Sequence, residues 1–308
     1  MITKFISPSE LFSVRRFLSK KAFASLDKTQ MEWVEEKLNK IKSGNFKDLY
    51  LAFSSASRVI QEDLLNQVTE DEILELNILR RGLDISGWTL TQTLRMILLC
   101  EFPIDNAEQY TSVIKNIYAT SDLEEQQAIL KGLAVLPWQE RFIEIAESGV
   151  RSNVKILFEG IAERNPYPFD YFSEPEWNQM VIKMLFIDNS INEIYGLDRR
   201  CNPSLTRMAI DLIHERWAAG RIVNPEIWRI IYPFMSHKFS EDIVAVFENE
   251  NLSVYRKAVA LACFKSSSRE ANNLLADKNP DLQNMIINGS LDWDQIANEW
   301  RNIKFQPR

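Results

Sequence analysis

The stretch from Trp177 to Trp217 holds the densest set of side chains able to do chemistry. Asp198, Arg199, Arg200 and Asn202 fall within five positions there, between two helical patterns that carry polar residues on their apolar faces. A guanidinium beside a concave surface makes a planar fork for a carboxylate or another anionic group. Adjacent residues in a loop do not both point inward easily, so Arg199 and Arg200 are the pair from which one ligand-facing cation is expected. Asn202 and His214 are the neighbouring candidates. His214, one of two histidines, shares a polar face with Arg207 and Asp211, where an imidazole is ordinarily solvated. With one neighbour and a substrate it would serve as a general base.

The flanking helices supply a second set. At about 100° per residue, Asn178 falls between Val181, Ile182 and Leu185, and Asn153 between Ile156, Leu157 and Gly160. Both are expected to be buried. Over 205–217 the stripe Leu205, Met208, Ala209 and Leu212 runs directly into Arg216, which is thereby aimed at the core. A buried arginine requires a carboxylate or several carbonyls as partners, and Asp198 and Glu215 are nearest in sequence. Asn153, Asn178, Asp198 and Arg216 are therefore expected in one hydrogen-bonded network supporting the loop. Such groups also commonly tie loops to helix ends with no ligand involved.

Several familiar signatures fail. His214-Glu215 begins a zinc-protease pattern, but Ala218 stands where its second histidine is required. Gly82 and Gly87 have the spacing of a phosphate loop, yet Trp88 stands where the lysine that would neutralise the phosphates is required, with only the hydroxyl position kept by Thr89. None of the nine glycines lies two residues from another, which removes the dinucleotide fingerprint, and no Gly-x-Ser-x-Gly elbow is present either. Cys100, Cys201 and Cys263 are too far apart for a zinc knuckle and odd in number, so reduced thiols in a reducing compartment are expected. No metal, no cofactor and no catalytic residue is assigned.

Composition narrows the class. The 308 residues are 45% hydrophobic and 26% charged, as in folded globular chains. A net charge of -7 argues against nucleic acid as a partner, because phosphate binding calls for a basic surplus. Arg301, Lys304 and Arg308 form a local exception that reads as a solvated helix end. The N-terminus lacks a continuous apolar run, and no window approaches eighteen apolar residues. The expectation is a cytoplasmic protein with no direct membrane insertion.

The elements that must position these residues are helices. Ser7-Pro8-Ser9-Glu10 opens the first, with Leu11, Val14, Phe17 and Leu18 at helical spacing. Others are predicted over 29–41 with Gly44 after it, over 46–60 with Phe46, Leu49, Tyr50 and Phe53 on one side, after Thr69 to near Gly82, and over 90–100. Further helices start at Ser121-Asp122 and at Pro137-Trp138, the latter ending at Gly149, and then cover 152–164, 174–187, 204–219, 225–236, 239–249, 253–265, 268–277, 280–288 and 292–302. No alternating β-branched run with a hairpin turn is present. The chain reads as a single all-α domain over 1–308, either a HEAT-like α-solenoid of antiparallel hairpins or an irregular helical bundle. Between two helices, Asn165 to Phe172 packs two prolines among aromatics, which predicts an extended lid whose Tyr167 could line the apolar wall of a pocket.

NPYPFDYFSEPEWNQMVIKMLF, GLDRRCNPSLTRMAIDLIHERWAAGR and NPEIWRIIYPF resemble the central signature of the EboA family. LYLAFSSASR, SGWTLTQTLRMILL and LPWQERFIEIAESGVRSNVKILFEGIA resemble earlier parts of it, so the likeness covers about residues 10–235 and is most specific over 151–234. The resemblance implies a component of a bacterial gene cluster whose other members look like a prenyltransferase, sugar-phosphate-cyclase and sugar-isomerase types, and hydrolases. That cluster is associated with making a secondary metabolite or moving it toward the cell envelope, and no reaction is assigned to this component. The resulting expectation is a non-catalytic accessory that binds a small polar or anionic metabolite, other proteins of the cluster, or both. Alternatives are a protein scaffold without a pocket, an enzyme using His214 and nearby carboxylates as acid and base, and, against the net charge, a HEAT-like DNA-glycosylase type.

Overall fold

The computed structural model describes residues 8–60, 65–236, 239–249 and 253–305; Ser7 and Arg308 lie outside them. Among the described residues the fold is all-α, with one isolated antiparallel bridge, Leu65 to Thr89, and no strand. None of these helices is long and apolar enough to cross a membrane. The chain divides into two compact units, Met1–Glu176 and Trp177–Arg308, with the division in the first turn of the helix Glu174–Phe186.

In the first unit the helices gather round Leu90–Glu101, every residue of which is buried. Thr89 starts this helix through a capping box: the Gln92 N–H donates to Thr89 Oγ1, and the Thr89 N–H donates to Gln92 Oε1. Its sequence is apolar on all sides except where partners await. Gln92 Nε2 donates to Gln127, Thr93 Oγ1 to the Thr89 carbonyl, and Glu101 meets Arg15 at 2.6 Å. Burying Leu94, Met96, Ile97, Leu98 and Leu99 contributes on the order of 1.5–3 kcal/mol each. Pro8–Phe23, Lys28–Ile41, Phe46–Val59 and Leu123–Gly132 surround it. The last comes so close that a Cβ on Gly132 would lie 2.2 Å from Met96 Sδ. Thr69 and Asp122 begin helices where the sequence placed helix starts, and the structure adds that each forms a capping box, with Glu72 and Glu125.

Expectations about the elements of this unit are corrected at several points. Trp138 is left-handed (φ 48°) and feeds a 3-10 turn, Gln139–Phe142, before the helix Ile143–Arg151 begins. Gly149 sits inside that helix rather than beyond it. Its added Cβ would be 2.9 Å from Leu130, so close packing rather than capping explains the glycine. The helix Ala107–Thr120, capped by Asn106, was not anticipated. On Phe46–Val59 the buried arc centres on Leu49, Ala52, Phe53 and Ala56, which leaves Phe46 56% and Tyr50 38% exposed. Those two rings form one side of an apolar groove of ≈ 370 Å³ whose other side is Val113, Asn116, Ile117 and Thr120.

The second unit repeats the plan around Ser253–Lys265, whose run from Ala258 to Cys263 is fully buried. Ser240–Asn249, Arg269–Lys278, Pro280–Ile287 and Trp293–Phe305 pack on it, as does the short helix Trp228–Ile231. The single helix expected over 225–236 is split into Pro225–Ile227, Trp228–Ile231 and Tyr232–Phe234, the outer two being 3-10 turns. Pro233 lacks the N–H that a continuous helix needs at that point, whereas Pro225, in a first turn, does not disturb it. Within each unit, packing round one buried helix corresponds to the bundle that the sequence left open beside stacked hairpins.

Candidate functional site

The loop from Gly196 to Asn202 is built by its own sequence. Gly196 takes φ +77° and starts the 3-10 turn Leu197–Arg199, with Leu197 as its buried anchor. Asn202 then caps Pro203–Ala218, accepting from the Leu205 N–H at 2.8 Å, with Pro203 at the first helical position. Asn178 is 2% exposed, as its place on the apolar arc predicted. Its partner is Asn202: each amide donates to the other's carbonyl, at 3.1 and 2.8 Å. Asn202 Nδ2 also donates to the Arg200 carbonyl. Two donors and two acceptor positions are thereby all used, so Asn202 holds the loop and has nothing left for a ligand.

Asp198 faces a different arginine from the one expected. Arg229, on Trp228–Ile231, donates through Nε and Nη2 to both Asp198 oxygens at 2.7 Å, the bidentate geometry that suits a guanidinium. Its Nη1 donates to Asn192 Oδ1 at 2.5 Å, and Asn192 Nδ2 donates in turn to Asp294 at 2.8 Å. The Asn192 backbone N–H and the Ser190 hydroxyl donate to Glu226 Oε2 at 3.0 and 2.8 Å. Glu226 is 1% exposed and its Oε1 has no partner. Burial raises its pKa above the usual carboxylate range, against the pull of Ser190, Asn192 and Arg229. Burial opposes the charge of Arg229, but Asp198, Glu226 and Asp294 outweigh it and its pKa is raised. Tyr232 lies beside this cluster, stacked on Trp293 with centroids 6.3 Å apart.

The other predicted residues are distributed as follows. Arg199 is exposed, its guanidinium 4.9 Å from the Tyr195 ring centre, and Arg200 is half-buried, 4.6 Å from that of Trp177. Both cations thus rest on aromatic faces. Arg216 is half-buried rather than in the core, and carbonyls near the surface rather than Asp198 or Glu215 receive it: those of Ile222 at 3.0 Å and Phe186 at 2.6 Å. Asn153 is exposed in the turn before Lys155–Ala162, because that helix starts later than expected and leaves it outside the periodic stripe. The expected four-residue network is therefore replaced by two separate ones. His214 stands on the polar face as expected and pairs with Asp242 at 3.0 Å. Tyr167 is fully buried, and its hydroxyl donates to the Gln139 carbonyl at 2.7 Å. Residues 167–171 are helical rather than extended, since Pro166 and Pro168 fall in a first turn, which needs no N–H from them. Tyr167 is an internal strut of the first unit.

Arg229, Glu226 and Asp294 were missed. Glu226 and Arg229 interrupt an apolar run of Ile227, Trp228, Ile230 and Ile231, the same anomaly that exposed Asn178, and could have been found by it. Asp294 carries no such signal. The cluster offers two partly exposed carboxylates, an amide and a guanidinium, a surface suited to holding a polar molecule in place. Among the described residues no group of three or more His, Cys, Asp or Glu gathers as a metal site. No curated protein and no solved structure matches the chain. The model of the family described as metabolite traffic protein EboA matches residues 14–232, which include Asn178, Asn192, Asp198, Arg199, Asn202, Glu226 and Arg229. With most of its length so matched, the chain belongs to the EboA family.

Proposed function

We propose that this protein is a non-catalytic accessory of metabolite traffic that binds a small polar metabolite through the surface formed by Arg199, Asp198, Arg229 and Asn192. The observation that carries this reading is the state of the loop. Asn202 is fully used by Asn178, Arg200 and Leu205, and Arg229 grips both oxygens of Asp198, so the exposed Arg199 guanidinium is presented from a rigid base. Rigid placement of a few polar groups is what specific binding of a small ligand needs. The family description supports the general role, and the ligand belongs to this proposal.

Native mass spectrometry of the protein purified from cells that contain its gene neighbourhood tests the reading. A small-molecule adduct that is reduced at least tenfold in Arg199→Ala, with the folded charge-state distribution unchanged, is the expected result. An adduct carried equally by wild type and variant would remove Arg199 from the site, and no adduct in either would remove metabolite binding. His214 beside Asp242 is the observation that favours an acid–base enzyme instead. That reading expects turnover of the bound molecule to fall in His214→Ala while the adduct persists.

A further inference from the structure

We propose that the helix Trp293–Phe305, which lies beyond the family-matched residues, is a clamp that positions the segment 188–194 and so completes the binding surface. One face of this helix is an anchor. Ile296, Ala297 and Trp300 are buried, the Trp300 ring meets Tyr255 edge-on at 5.8 Å, and Tyr255 belongs to the central helix Ser253–Lys265. The flank of that same face, Trp300 included, reaches the segment at successive points. Asp294 accepts from Asn192 at 2.8 Å, Arg301 pairs with Glu193 at 3.2 Å, and Trp300 Nε1 donates to Asp188 Oδ1 at 3.1 Å. Lys304 pairs with Asp188 Oδ2 at 3.0 Å and also donates to the Asp188 carbonyl.

Asp188 leaves the helix Glu174–Phe186 with φ +63°, a left-handed turn that is closed locally by the Asp188 and Asn189 N–H groups, which donate to the Leu185 and Met184 carbonyls. Beyond that turn the segment is tied by the helix Trp293–Phe305 through Asp188, Asn192 and Glu193, and Asn192 joins Arg229 to Asp294. The clamp acts on the site through the backbone of 188–194, so its consequence for binding rests on the reading proposed above, whereas the ordering of the segment does not. Two of its ties are ion pairs open to solvent: Arg301 and Lys304 have 47% and 33% of their side chains exposed. Screening by salt should therefore weaken the clamp.

Hydrogen exchange of the full-length protein, followed by mass spectrometry, tests the clamp without any ligand. In Arg301→Ala/Lys304→Ala the amides of 188–197 should exchange about three- to tenfold faster, the range expected for losing two partly exposed ion pairs, while those of 253–265 keep their wild-type rates. The swapped pair Glu193→Arg/Arg301→Glu should return most of the protection that Arg301→Glu removes. At about 1 M salt the wild-type segment should speed up and the double-alanine variant should not. Unchanged exchange over 188–197 would overturn the proposal, and so would an equal increase over 253–265, which would make the helix merely part of the core. Loosening of the segment with no metabolite adduct in either protein would uphold the clamp and defeat the binding reading, so the two fail separately.

Discussion

Arg95 in the first unit and Arg229 in the second are both set among apolar neighbours, and the two are met in different ways. Arg95 is 2% exposed on the central helix of the first unit, with Nε 3.3 Å from the Phe53 carbonyl, its guanidinium 5.4 Å from the Phe53 ring centre, and Nη2 3.5 Å from Glu125. Glu125 is also buried and serves the capping box of Leu123–Gly132. In the second unit Arg229 has 16% of its side chain exposed and holds Asp198, which is 48% exposed, by two bonds of 2.7 Å. The first pair is closed off from water, and the second has shorter contacts yet opens to solvent on the carboxylate side. Contact distance and energetic weight therefore run in opposite directions, because the cost of losing a partner depends on whether water can replace it.

That contrast is easiest to break from the closed side. Arg95→Ala strands the Glu125 carboxylate and leaves a cavity against Phe53. Chemical denaturation should show a loss of about 3–5 kcal/mol, and a loss below about 1 kcal/mol would mean that the pair is not effectively buried. Arg229→Ala should cost less, about 1–2 kcal/mol, since water can solvate Asp198, and it should also unprotect Asn192 in hydrogen exchange. If it cost as much as Arg95→Ala, the open site would be part of the core after all.

The smallest effect, and the sharpest, concerns Glu226. Its folded-state pKa is raised by burial, so its contribution to stability is present below the ordinary carboxylate range and is lost as pH rises through the raised value. Thermal melts of wild type and Glu226→Gln should converge at low pH, with the wild type falling behind as pH climbs above the ordinary glutamate value. Glu101 in the first unit is raised by burial too and titrates in both proteins, so the difference between them isolates Glu226. Parallel curves at all pH values would show that Glu226 is charged in place.

Much of this molecule was legible in advance wherever the information is local. Helix starts were marked by hydroxyl and carboxylate groups such as Thr69 and Asp122, and Asn178 betrayed its burial by sitting on an apolar arc. Arg216 was expected in the core with a carboxylate or carbonyls as partners, but it stays half-buried near the surface and takes carbonyls. Its carbonyl partners, at Phe186 and Ile222, come from the end of one helix and the turn after another. The error was to prefer partners near in sequence. Asp198 found Arg229, thirty-one positions away, and Asn192 found Asp294, one hundred and two away.

By itself, then, the sequence determined the all-α class, most helix boundaries, the family and the loop in which polar groups concentrate, since propensity, capping and periodicity act over a few residues. Only the tertiary structure decided which polar groups pair, that Asn202 is spent on Asn178, that Tyr167 is an internal strut, and that the C-terminal helix reaches the 188–194 segment. The physical reason is that a buried or half-buried polar group must take whatever partner packing brings within about 3 Å, and packing is set by the sum of apolar faces along the whole chain rather than by any stretch of it.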